Sequence, residues 1–434
     1  MLEIEAEIVA DATTEHVWAL VERFAQTPRW KPEDVNAAAD ALVERLSALG
    51  VTAEVHAPEV FLSVPIDASV TLGGTTFRAK PPSNSLSVPG GVEGELVHLP
   101  ANTANLRSYA KDLRVLFGES VGGAEEARAM IEGKILVTQG FGNPALTAFA
   151  EEWGAVGLIA VNPGVDIHWG TCTTIWGSPD LDDLPRKPKI PVVAVNNPDG
   201  EALIAAAREG GRATIRTELQ EGWFVQKVPV VTIPGVAEPD RFVLVHGHLD
   251  SWDVGVGDNA TGDALLLELA RVLTAHRDKL RRSVRIAGST WFADAFARDL
   301  DEECVAQINC DSPGCRWATS YHQTTAHAET RTMLAEVIEG VAGQAPVFKR
   351  PNQAGDYSFD NIGITSHFML SSTMPDELRA EKGYYAVSGC GGNIAWHTEN
   401  DTLEIADRAV LGTDLEIYLR TVLPPAPAAA PPAP

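Results

Sequence analysis

Cysteine is scarce in this chain of 434 residues. Cys172, Cys304, Cys310, Cys315 and Cys390 make five, an odd number with no CxxC pair and no zinc-ribbon spacing. That excludes a disulfide framework or a thiolate cluster as the basis of the fold. Basic residues are outnumbered, 34 against 59 acids, for a formal charge of -25. Such a surface repels phosphate backbones and anionic lipid, so nucleic acid is excluded as a partner. No stretch approaches the roughly eighteen apolar residues of a membrane span. The start, MLEIEAEIVADATTEHVW, has no basic segment leading into an apolar one. Neither a membrane helix nor a secretory leader is expected, and the expected location is the cytoplasm. No P-loop and no GxGxxG between a strand and a helix is present, which removes the nucleotide-cradling folds. What remains is 45% hydrophobic and 21% charged residues, an ordinary globular composition. At this length the chain should form two domains, or one large domain carrying an insertion.

Between Pro32 and Gly50, the positions Val35, Ala39, Leu42, Val43, Leu46 and Leu49 recur at helical spacing, with proline near the start and glycine as the stop. Val51, Ala53 and Val55 then alternate as a strand, so the chain opens as α then β. The proline- and glycine-rich AKPPSNSLSVPGGVEGE marks a loop or boundary. KILVT after Gly133, a helix from about Ala145 to Trp153, AVGLIAV, IPVVAV, a helix from about Gly200 to Glu209 and RATIRT describe a small, mostly β middle unit. Its long loop from Asn162 to Lys189 holds His168, Trp169 and Trp176, suited either to covering a cleft or to packing among themselves. From Arg241 come FVLV, a glycine-rich loop, a helix from Asp263 to Leu273, SVRIA, a helix from Ser289 to about Leu300, and VAQINCD. This alternation predicts an α/β fold: a mostly parallel central sheet with helices on both faces, binding ligands at the carboxyl ends of its strands. The tail PPAPAAAPPAP, 424–434, cannot form a core and is expected to be disordered.

The chemistry concentrates at those strand ends. HGHLDSWDVGVGDNATG runs from His246 to Gly262; within it His248 follows FVLV, and Asp250 is placed to brace its imidazole. Asp258 lies in GDNATG, where glycines let the backbone turn back toward the strand ends. Asp311 closes VAQINCD, and His397 sits in AWHTENDT after a glycine cluster.

The blocks HLDS, GDNATG, the Asp311 strand, GDYSF and GITS near Asp356 to Ser366, and WHTENDT resemble the dinuclear-zinc aminopeptidases and glutamate carboxypeptidases, family 28 of the metallopeptidases. The resemblance covers most of the chain. GKILV, GAVGLIAV and IPVVAVNNPDG look like the protease-associated domain that some members carry as an insertion. It implies a zinc-exopeptidase-like fold in which 1–119 and 221–423 form the peptidase-like domain around a β-rich insertion at 120–220. It further implies Asp258 as a carboxylate bridging two zinc ions, with His248 and Asp311 as ligands of one and His397 as a ligand of the other. Asp356, Tyr357, Gly389 and Gly391 would line the substrate site. The implied reaction is hydrolysis of a terminal peptide bond of a short peptide, or of an amino-acid amide, by a metal-bound hydroxide. A homo-oligomer is left open.

The chain departs from that pattern at one point. In the family a strand like SVRIA leads into a loop with two adjacent glutamates, one the general base and one a ligand of the second zinc. Here Ala287 runs directly into Gly288-Ser289, as though about ten residues of the pattern were gone. Loss of a base costs roughly 100 to 10,000-fold in proton transfer. Two expectations follow: an exopeptidase using a substitute acid, or a relative that keeps one metal or none and binds a peptide or protein. Glu399 and Asp253 are the local substitutes; Glu302 and Glu303, at the far end of the next helix, should face solvent. A literal GxSxG in FGESVGG offers Ser120 as an esterase nucleophile, but Gly122 and Gly123 interrupt the helix that should follow, and a surface turn is the better reading. His246 is expected to be structural and to point away from His248, His322 and His327 to be polar surface, and Cys390 to sit in an accessible glycine turn.

Overall fold

The computed structural model describes residues 3–102, 112–173, 175, 179, 181–288, 290–351, 355–368 and 372–423, with 3, 4, 355–357, 361 and 366–368 by backbone alone. It forms two compact units, one of Met1–Pro58 with Val225–Pro434 and one of Glu59–Phe224.

In the first unit eight strands lie in the order Glu54–His56, Val228–Ile233, Arg282–Ala287, Glu238–His246, Cys304–Asn309, Ser366–Phe368, Thr324–Ala326, Phe348–Lys349. The middle of the sheet, from Arg282–Ala287 to Ser366–Phe368, is parallel. Antiparallel pairs flank it on both sides, so the sheet is mixed with a parallel centre, a modification of the mostly parallel sheet expected. Successive residues of Glu238–His246 serve opposite faces. Phe242 and Leu244 pack with Phe292, Leu300 and Phe359, whereas Val245 packs with Leu265, Leu269 and Leu415. Helices therefore cover both faces, and the run FVLV reads as continuously apolar because neither face meets water. The helix Thr261–Ala275 is the most enclosed: Leu265, Leu267, Leu269 and Leu273 are buried. Truncating one of them to alanine should cost about 2–5 kcal/mol.

The predicted helix after Pro32 is present as Pro32–Ala48, with Gly50 in the left-handed region at φ 79°. Two earlier helices, Glu3–Asp11 and Thr14–Phe24, were not anticipated. The second is capped by Thr13, whose side chain accepts from Glu15 N–H, and buries Val17, Leu20, Val21 and Phe24 at three- and four-residue spacing.

The second unit is a seven-stranded sheet in the order Thr75–Ala79, Glu59–Leu72, Arg212–Val225, Val88–His98, Ile135–Gln139, Gly157–Val161, Val192–Val195. The last four strands are parallel. This unit starts at Glu59, well before the expected boundary at 120. The reason is packing: Ala68, Val70, Ala79 and Leu96 share one core with Ile135, Val137, Ile159 and Val193. Among the described residues no helix is long and apolar enough to cross a membrane.

Candidate metal centre

In the parallel pair, His246 stands opposite Asn309, and both strands end there. His248 and Asp311 each lie two residues further on, so strand register alone sets them level at the carboxyl edge. Asp258 arrives from the buried turn 256–260, between Gly255 (φ 46°) and the helix Thr261–Ala275. His248 Nε2 is 3.0 Å from Asp258 Oδ1 and 3.9 Å from Asp311 Oδ1. The other oxygen of Asp258, Oδ2, is 3.3 Å from His397 Nε2. Donor atoms of His248, Asp258 and Asp311 all lie within 4.8 Å of one another. The sequence-predicted ligands thus converge, and Asp258 offers one oxygen to each histidine.

Several neighbours hold this geometry. His248 Nδ1 is 3.0 Å from the Asp250 carbonyl and 3.6 Å from its carboxylate, so the brace expected from the Asp250 side chain comes chiefly from its backbone. Donation from Nδ1 leaves Nε2 as the nitrogen that could ligate a metal. Asn259 ties three segments: its Nδ2 donates to the carbonyls of His248 (3.3 Å) and Cys310 (2.9 Å), and its Oδ1 accepts from Ser312 N–H (3.1 Å). Gly262 is glycine because a Cβ there would stand 2.1 Å from Asn259 Oδ1. Asp401, four residues past His397, accepts from the N–H groups of Gly257 (2.7 Å) and Asp258 (3.0 Å). Sequence reasoning assigned no role to Asn259 or Asp401, although both lie inside the quoted motifs.

Burial opposes charge on His248, but the carboxylates of Asp250, Asp258 and Asp311 outweigh it and hold the imidazolium pKa well above its ordinary value. Burial likewise works against the Asp258 carboxylate, and His248 and His397 overcome it, lowering its pKa. Asp401 is pushed up to about 7, by burial first and by the nearby Asp258 charge, against the backbone N–H groups that favour its ionised form. The site therefore concentrates negative charge, with the two imidazoles as its counterweight.

Trp396 stacks on His397 at a ring-centroid distance of 3.7 Å, and Trp252 stands 5.8 Å away on a tilt. A Cβ on Gly389 would lie 2.6 Å from Trp396 and 3.1 Å from Asp258 Oδ2, so this expected substrate-lining residue does border the metal edge. Gly391, expected beside it, instead backs onto Ala318 and Cys315 at φ 60° and is buried. Asp356 and Tyr357 fall in the turn Gly355–Ile362, their side chains outside the described residues. Cys390 is fully buried rather than accessible; its thiol donates to Asp401 at 3.3 Å, and burial drives its pKa well up.

The remaining candidates separate from the centre. His246 is buried, with Nε2 2.6 Å from Gln307 Oε1 and its ring against Phe359. It is structural as expected, but residues two apart in a strand share a face. Its separation from His248 comes from the strand ending at His246. His322 is exposed, and His327 Nε2 lies 3.9 Å from Asp360 Oδ1. His168 is buried against Phe141, and Trp169 lies under Lys80 Nζ, so these two pack within the second unit; Trp176 lies outside the described residues. Asp253 contributes its carbonyl to the loop framework, accepting from Ser251 Oγ at 2.6 Å. Glu399 is half-buried in the turn after His397 and is not in the gathered ligand group. Glu302 is exposed and pairs with Arg298, whereas Glu303 is half-buried, 3.8 Å from Arg285. Ser120 is exposed between the short helix Leu113–Phe117 and the helix Ala124–Ile131. A nucleophile elbow needs a strand before the serine and a helix at once after it, so the esterase reading fails here.

The shortened connection is also plain. Ala287 pairs with His246, Gly288 follows, and the next helix begins at Thr290. Ser289 lies outside the described residues, and no glutamate occurs between Ala287 and Thr290.

A parallel-centred sheet with histidine and aspartate donors at its carboxyl edge defines an α/β protein of the aminopeptidase type in its fold. An aminopeptidase from Aneurinibacillus sp. strain AM-1 superposes with a TM-score of 0.67 at 18% identity, covering 96% of this chain and 95% of that one. A zinc aminopeptidase from Bacillus subtilis gives 0.66 at 15% identity, covering 94% of each. At such identities the likeness is one of fold. Residues 230–422, within the larger unit, match the model of Peptidase family M28. Among curated relatives, aminopeptidase NAALADL1 of Mus musculus is 41% identical over 93 residues, 18% of this chain and 12% of the relative. Transferrin receptor protein 1 of Gallus gallus is 31% identical over 129 residues, 26% of this chain and 16% of the relative. The chain thus spans less than a fifth of the length of either of these two relatives.

Proposed function

We propose that this chain is a zinc-dependent exopeptidase acting on a terminal peptide bond of short peptides or amino-acid amides. The observation that carries the reading is the split allegiance of Asp258, with Oδ1 3.0 Å from His248 and Oδ2 3.3 Å from His397. The donor set suits zinc, which takes imidazole and carboxylate ligands. His248, Asp258 and Asp311 would hold one ion; Asp258 and His397 would begin the site of a second. Zinc bound there supplies Lewis acidity that polarises a carbonyl and acidifies water. The chain's own residues do the rest. Asp250 turns His248, Asp401 and Asn259 fix the turn that carries Asp258, and Trp252 and Trp396 flank His397 with apolar surface. A proton acceptor must come from a substitute such as Glu399 or Asp253. We further propose that Glu59–Phe224 is a protease-associated domain and that the protein works in a reducing compartment such as the cytoplasm, a reading supported by five cysteines that are all unpaired.

A second reading, a peptide- or protein-binding relative without turnover, is favoured by the Ala287-Gly288-Ser289 connection, which has no acid to offer. Zinc content per folded chain and chelator-sensitive release of p-nitroaniline from amino-acid p-nitroanilides distinguish the two. Close to two zinc ions with hydrolysis supports the first; one ion, no hydrolysis and retained peptide binding supports the second; no zinc at all sinks the first.

A further inference from the structure

Arg29 reaches the metal loop from 220 residues earlier in the chain. It follows the helix Thr14–Phe24, is fully buried, and lies over the Phe24 ring at 4.7 Å. Four hydrogen bonds leave its guanidinium, and every acceptor is a backbone carbonyl. Nε donates to Leu249 (3.0 Å), Nη1 to Val254 (2.9 Å) and Phe24 (3.4 Å), and Nη2 to Gly255 (3.0 Å). Its main chain adds two more: Arg29 N–H donates to the Asp253 carbonyl at 3.1 Å, and Ser251 N–H donates to the Arg29 carbonyl at 2.8 Å.

Five of these six bonds land on residues 249–255, the arc between the ligands His248 and Asp258. A rigid planar fork spent on carbonyls recognises no substrate; it fixes the path of a backbone. Asp401 answers from the other end of the arc by taking the amides of Gly257 and Asp258. The arc is thus held by a cation through its carbonyls and by an acid through its amides. We infer that Arg29 is a positioning residue that fixes the separation of His248 and Asp258 and thereby sets the metal affinity of the centre. The inference rests on the metal-binding reading above.

The test uses the full chain with cobalt(II) alone as the probe, reading affinity and the visible absorption band. Arg29→Lys keeps the charge, but one ammonium cannot span three carbonyls. The control is Ile338→Ala, a fully buried position packed with Tyr321 and Ile417. Arg29→Lys should weaken cobalt binding at least about tenfold and alter the band, whereas the control, compared at equal loss of melting temperature, should bind and absorb as wild type does. A folded Arg29→Lys protein with wild-type affinity and spectrum overturns the inference. Hydrogen exchange of the wild type decides the matter if the variant does not fold. Cobalt should slow exchange at the Arg29 and Ser251 amides at least about tenfold, and unchanged exchange at both overturns the inference. A wild-type chain that takes up no cobalt overturns the metal reading and this inference together; uptake with either negative result removes the inference alone.

Discussion

The two oxygens of Asp258 face unequal halves of one centre. On the Oδ1 side, His248 and Asp311 arrive from adjacent parallel strands at the same level, and Asn259 ties their backbones to the turn. On the Oδ2 side stands His397, with a positive φ of 56° and an indole stacked on it, and the strand that would supply the next ligand passes directly into a helix. The difference teaches that a metal site is built strand by strand. A strand-to-helix connection of Gly288 and Ser289 brings no acid, while the donors set by a different pair of strands stand in place.

The largest effect should come from the residue common to both halves. Asp258→Asn should lower metal affinity by at least about 100-fold and bring metal content near zero, while His397→Ala should spare the ion held by His248 and Asp311. Elemental analysis of the two variants checks this, and equal loss would mean that Asp258 is no bridge. Next comes repair of the weaker half. Inserting Gly-Glu-Glu between Ala287 and Gly288 should add about one zinc per chain and raise amide hydrolysis by roughly 100 to 10,000-fold; unchanged metal content would show that this connection does not reach the centre.

The smallest effect concerns an acid away from the metal edge. Asp414 is buried and accepts from Tyr321 Oη (2.6 Å), Gly314 N–H (2.7 Å) and Ser372 Oγ (2.9 Å). Burial nonetheless pushes its pKa up from 3.8 to about 6. A carboxyl raised in the folded state binds more protons there than when unfolded, so its stabilising contribution is complete below about pH 4 and is lost as pH rises through about 6. The melting temperature of the wild type should therefore fall relative to that of Asp414→Asn between pH 4 and 7, by a few degrees. Parallel pH profiles would refute it.

What could be read from the sequence follows the same division between local and distant causes. The convergence of His248, Asp258, Asp311 and His397 was legible because each sits in a compact motif at the end of an apolar run or glycine turn. The boundary at 59 was not, because Glu59–Leu72 pairs locally with Thr75–Ala79 but is joined to the rest of its sheet through Arg212–Val225, more than a hundred residues away. The helix Thr14–Phe24 had its signal on view, a threonine cap and buried positions at three and four, and was missed where the start of the chain was read for targeting alone. Arg29 gave no signal at all. A single arginine between a helix end and a proline has no periodicity, and three of its four guanidinium bonds go to carbonyls 220 residues or more along the chain.

That separation has a kinetic side. At ribosomal rates of about 5–20 residues per second, Leu249 emerges roughly ten to forty seconds after the arginine that grips it. The contiguous Glu59–Phe224 unit can complete its own sheet in that interval. The helix Thr14–Phe24 cannot; Val17, Leu20 and Phe24 stay uncovered until the helix Thr261–Ala275 arrives, which places a segment made long before its partner among the last to be folded.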